Sequence, residues 1–146
     1  MIDLLDVNLL ISLAWPNHVH HRAARDWFSK RGGEPWATTP VTESGFVRVS
    51  SNRSAIATAV TPAEALALLT EMRSRPGYQF LADDVAGVLG EGLVARDRLV
   101  AYRQVTDAHL LAVARRHQAR LATLDRGVAT LAGDSPGDVV LVTARI

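Results

Sequence analysis

The chain has 146 residues, a formal net charge of +1, 48% hydrophobic residues and no cysteine. That length suits one domain over residues 1–146 with a core of its own. The missing thiols exclude disulfides, zinc-thiolate sites and cysteine catalysis, and near-neutrality excludes any argument for a nucleic-acid partner from charge alone.

Met1 to Trp15 is apolar, but Asp3, Asp6 and Asn8 interrupt it and no basic residue precedes it, so it reads as a strand and a helix rather than a secretory leader. No window reaches the roughly 18 uninterrupted apolar residues of a membrane span, and a soluble, cytoplasmic protein is expected. Ile2 to Leu5 is predicted as a buried strand closed by Asp6, followed by a helix from Val7 to about Trp15 that Pro16 stops. A second helix, His18 to Lys30, puts Ala23, Ala24, Trp27 and Phe28 on its apolar face, with Gly32-Gly33 beyond its end.

Trp36 to Thr38 reads as a brief strand. Thr39-Pro40 then opens a helix that carries Glu43, Phe46 and Val47 and fades in Ser50 to Arg53. Thr61-Pro62 opens the next helix, to about Ser74, and Pro76-Gly77 stops it. Tyr78 to Leu81 is a strand, and Asp83-Asp84 reads as the cap of a helix containing Gly87, Gly90 and Gly92. Gln104 to Gln118 is the clearest helix, Arg120 to Leu124 a buried strand, and Val139 to Val142 a final strand after the loop Gly133 to Gly137. Short apolar strands alternating with helices predict an α/β protein with a mainly parallel central sheet covered on both faces.

Four acids stand out in that frame. Asp6 and Asp125 each directly follow a predicted strand, and in an open parallel sheet ligands sit outside the carboxyl ends of the strands. Asp107 begins the buried stripe of its helix, with Leu110, Leu111 and Ala114 three, four and seven residues on, and Glu43 stands the same way before Phe46 and Val47. Carboxylates about 5 Å apart at an effective dielectric near 20 repel by roughly 3 kcal/mol per pair, which several pairs raise to the whole stability of a small domain. Such a group must bind cations or take up protons. All-oxygen donors select hard ions, hence Mg²⁺ or Mn²⁺, and such a site fits metal-assisted phosphodiester hydrolysis without a Ser, Cys or Lys nucleophile.

Taken singly, each acid has a plainer reading: Asp107 as a helix cap or dipole partner, Asp6 as the cap of the following helix, Asp125 as the start of a turn. Their joint occurrence carries the weight. His18, His20 and His21 read as a partly solvated patch in the first turn of a helix, and His109, two residues after Asp107, points away from it. Trp15, Trp27, Phe28 and Phe46 read as core. Fifteen of the 16 basic residues are arginine, Lys30 being the exception, which reads as compositional bias; Arg48 and Arg126 stand near enough to Glu43 and Asp125 to meet phosphate, with surface ion pairing the plainer role.

At these residues the chain resembles the PIN-domain nucleases, in particular the VapC toxins of toxin-antitoxin pairs. Leu4-Leu5-Asp6-Val7-Asn8-Leu9-Leu10 is similar to the family's first strand and metal-binding Asp, and Thr38 to Arg48 to the segment bearing its Glu. Thr106 to Leu111 and Leu121 to Gly127 resemble the third and fourth acidic segments. The resemblance implies a three-layer α/β PIN fold, Mg²⁺- or Mn²⁺-dependent endoribonuclease activity, a VapB-type antitoxin and a homodimer. It implies that Asp6, Glu43 and Asp107 hold the principal metal directly or through water, that Asp125 completes the site or a second ion, and that Asn8 and Thr123 orient waters or carboxylates. A receiver-like signalling domain fits poorly, since it wants adjacent acids after the first strand and a lysine near the last. A haloacid-dehalogenase-type phosphatase lacks its second Asp in Asp6-Val7-Asn8, and a PIN fold that binds without cutting is at odds with the intact acids.

Overall fold

The computed structural model describes residues 1–86 and 92–143. Strands β1 (Asp3–Leu5), β2 (Trp36–Thr38), β3 (Tyr78–Phe80), β4 (Arg120–Thr123) and β5 (Val139–Leu141) pair in parallel in the order β3-β2-β1-β4-β5. The helices are α1 (Val7–Ala14), α2 (His21–Lys30), α3 (Pro40–Ser50), α4 (Pro62–Met72), α5 (Gln104–Arg116) and the single turn α6 (Arg126–Ala129).

The strands are short, and after three of them a capping residue turns the chain directly into a helix. Asp6 accepts the Leu9 N–H at the head of α1, Thr39 forms a capping box with Thr42 before Pro40, and Asp125 accepts the Gly127 N–H at the head of α6. Each strand therefore delivers its last residues to one rim of the sheet.

Side-chain alternation sorts the core into two layers. Leu4, Ala37 and Leu121 face Leu110, Leu111 and Ala114 of α5 with Val128 and Leu131, while Leu5, Trp36 and Ala122 face Leu9 and Leu10 of α1, Phe46 of α3 and Leu69 of α4. This is the expected three-layer arrangement, with helices on both faces. Trp36 and Phe46 are its largest fully buried side chains, each stabilising the fold by roughly 1.5–3 kcal/mol through burial. Trp15, Trp27 and Phe28 are half-buried and pack against the second layer. From β1 the chain moves out through β2 and β3, then returns to the other side of β1 as β4. The crevice at such a reversal is where open α/β sheets bind ligands.

Two local expectations need correction. Helix α2 begins at His21, because tight turns close from the His18 N–H to the Trp15 carbonyl and from the His21 N–H to the His18 carbonyl, so His18 and His20 precede it. Residues 85–86 and 92–95, the described part of the helix expected after Asp83-Asp84, are not helical. Asp83 pairs with His109 on α5 at 2.7 Å, and Asp84 stands 3.7 Å from Arg116 at the end of α5 and 3.1 Å from His117 just beyond it. Gly87 and Gly90, the glycines expected within that helix, lie outside the described residues, and Gly92 has a φ of +97° that no helix interior accepts. Among the described residues no helix is long and apolar enough to cross a membrane.

Candidate active site

Asp6 ends β1, and its backbone N–H donates to the Ala122 carbonyl at 3.0 Å, which fixes it beside the end of β4. Its carboxylate is 5% exposed. Oδ1 accepts the Leu9 N–H at 2.8 Å and Oδ2 accepts the hydroxyl of Thr123. The same Thr123 Oγ1 accepts the Asp125 N–H at 3.0 Å, so one buried hydroxyl clamps both strand-end acids. Asp125 is exposed, and Asp107 enters half-buried from the first turn of α5.

Burial and mutual repulsion set the electrostatics of this group. Burial pushes the Asp6 carboxyl up to about 6; the bonds from Thr123 and Leu9 oppose the rise, and repulsion from Asp107 and Asp125 adds to it. Asp107 is likewise pushed up to about 6, first by burial and then by Asp125. Asp6, Asp107 and Asp125 thus form one electrostatic group.

Glu43 is held by a different set of partners. Its Oε2 accepts the Thr38 hydroxyl at 2.6 Å and the Tyr78 phenol at 3.2 Å, with Arg73 Nη1 at 3.6 Å. Thr38, Tyr78 and Arg73 did not stand out in the sequence. Thr38 was findable, since it ends β2 as Thr123 ends β4, but a Tyr opening an edge strand and an Arg after a helix carry no motif. Asn8 is exposed on α1, and His109 is turned to Asp83 rather than to Asp107. The His18 imidazole lies below its ordinary value through burial and the neighbouring His20 and His21. His21 contacts the Ser12 carbonyl at 2.7 Å.

The donor set suits a hard divalent ion. All its atoms are carboxylate or hydroxyl oxygens, and a buried Asp6 without a counter-charge is the kind of group a cation stabilises. Among the described residues no three acidic or histidine side chains are placed to hold one ion directly. One or two carboxylates with water completing the shell is how proteins usually hold Mg²⁺.

Residues 4–134 match the family model of the PIN domain. The chain belongs to the PIN-domain family. Within it, this PIN domain is 50% identical to ribonuclease VapC39 of Mycobacterium tuberculosis over 129 residues, covering 88% of this chain and 92% of the relative. It is 50% identical to ribonuclease VapC38 of the same organism over 135 residues, covering 91% and 92%. Its fold is similar to a chain in the crystal structure of VapBC2 from Rickettsia felis bound to a DNA fragment from their promoter, with a TM-score of 0.62, 13% identity and 97% of each chain covered. The strand-end acids described above all fall inside the matched PIN segment.

Proposed function

We propose that the chain is a ribonuclease toxin: a metal-dependent endoribonuclease that hydrolyses RNA phosphodiester bonds in the cytoplasm and is neutralised by a VapB-type antitoxin. The observation that carries this reading is the buried Asp6, beside Asp107 and Asp125 and with no cationic side chain among the described residues acting on it, in a chain half identical to VapC ribonucleases over nearly its whole length.

Asp6 and Asp107 are the principal ligands for Mg²⁺ or Mn²⁺, with Asp125 acting through coordinated water. Glu43 takes its part through Oε1, since its three contacts all fall on Oε2. When bound, the ion supplies Lewis acidity toward the scissile phosphate and lowers the pKa of a coordinated water. The chain's own residues do the rest. Thr123 holds the Asp6 rotamer and ties it to Asp125, and exposed Asn8 orients water at the mouth of the site. Residues 1–146 act as one catalytic domain in a homodimer, which the exposed Val100, Tyr102 and Val105 around the start of α5 support as an apolar face.

Cleavage of cellular RNA by the purified chain, with 5′ ends mapped against the Asp6→Asn variant, tests the reading. Mg²⁺-dependent ends that vanish in Asp6→Asn and Glu43→Gln are expected, and full activity in both variants would overturn it.

A further inference from the structure

Edge strand β3 brings an aromatic ring and a cation to the carboxylate rim. Phe80 ends β3 in register with buried Thr38, yet its side chain is 47% exposed. Tyr78, two residues earlier, projects from the same face of the strand. The Arg73 guanidinium, just past α4, lies over both rings, 4.9 Å from the Tyr78 centroid and 5.9 Å from that of Phe80. Arg73 Nη1 stands 3.6 Å from Glu43 Oε2, too far for a hydrogen bond, and its side chain is 41% exposed. Its planar donors therefore remain available to an anion. The Tyr78 hydroxyl joins this stack to Glu43 itself.

Taking RNA hydrolysis at the neighbouring carboxylates as given, we infer that Phe80 and Arg73 form a nucleotide ledge: an unpaired base of single-stranded RNA stacks on Phe80 while Arg73 meets an adjoining phosphate. A ring face with a guanidinium beside it matches what a splayed-out nucleotide presents, whereas a duplex keeps its base faces stacked on one another. Position on the outermost strand gives the RNA open access.

The test uses the full chain and a short fluorescent single-stranded RNA, with KM and kcat read separately and Kd read by anisotropy in an Asp6→Asn background. Phe80→Ala is expected to raise KM and Kd roughly tenfold, the scale of one lost stacking contact, with kcat within about twofold. Phe80→Trp should restore affinity, Arg73→Gln should weaken it and flatten its salt dependence, and a duplex of the same sequence should bind without sensitivity to Phe80. Thermal unfolding verifies the fold of each variant. Wild-type KM and Kd in Phe80→Ala, or a loss of kcat at unchanged KM, overturns the ledge while wild-type cleavage keeps the functional reading standing. Loss of antitoxin binding with RNA affinity intact overturns it in favour of a protein-facing surface. A wild type that cleaves no RNA removes the functional reading and the ledge together.

Discussion

The two ends of β1 hold buried aspartates in opposite circumstances. Asp3, 1% exposed, receives Arg31 Nε at 2.7 Å on one oxygen and Arg120 Nε and Nη2 at 2.8 Å on the other. Asp6, three residues on and 5% exposed, has among the described residues a hydroxyl, one backbone N–H and two neighbouring acids. The first carboxylate is charge-satisfied by the fold and fastens α2 and β4 to the sheet. The second is left with a deficit that, on the proposed function, an external cation fills. Burial alone does not mark a functional acid; burial without a counter-charge does.

Exchanging each acid for its amide separates the two roles. Asp6→Asn should lower RNA cleavage by more than roughly a hundredfold, beyond the losses seen for residues that only support metal ligands, while the fold persists in circular dichroism. Asp3→Asn should do the reverse. It leaves two guanidiniums without their anion and should cost about 3–5 kcal/mol in denaturant unfolding, with cleavage per folded molecule unchanged. If both variants lose activity in proportion to stability, the contrast between the ends fails.

A pH series on metal-free protein sharpens the same contrast. The folded state holds the Asp6 proton with a pKa near 6 against an ordinary 3.8, so this stabilisation is complete below about pH 4 and is lost as pH rises through 6. The loss amounts to about 3 kcal/mol, and Asp107 acts in the same direction. Asp6→Asn should flatten this slope, and a slope that survives the substitution places its origin elsewhere. Mg²⁺ should raise the melting temperature at pH 7.5 and do little at pH 5, where protonated carboxylates no longer coordinate; calorimetric titration at both values checks this. The smallest effect is expected at Asp83. Its pair with His109 is partly solvated, and Asp83→Asn should shift stability by less than about 1 kcal/mol.

The sheet and most helices were legible because strand ends and helix starts are written into adjacent residues. Asp6 before Val7, Thr39-Pro40 and Thr61-Pro62 mark boundaries that the structure keeps. Asp6 also shows why single-residue readings mislead, since it both caps α1 and belongs to the acidic group. Asp83-Asp84 misled because a pair of acids looks alike before a helix and before cations on a distant one; only tertiary packing brings α5 to them. The environment of Glu43 was hidden for a related reason. Tyr78 and Arg73 reach it from 35 and 30 positions away, through pairing of β2 with β3 that no local pattern records.

The bond from Thr123 to Asp6 spans 117 positions, and Asp125 follows only after that. A chain still being synthesised has Asp6, Glu43 and eventually Asp107, but not the strand that locks Asp6 in place or the last acid of the group. Pairing of β4 with β1 waits until Arg120 to Ala122 have been made, as the most non-local contacts of a parallel sheet do. On the proposed function, a nuclease whose own message is RNA acquires its cutting edge only after β4 has been made.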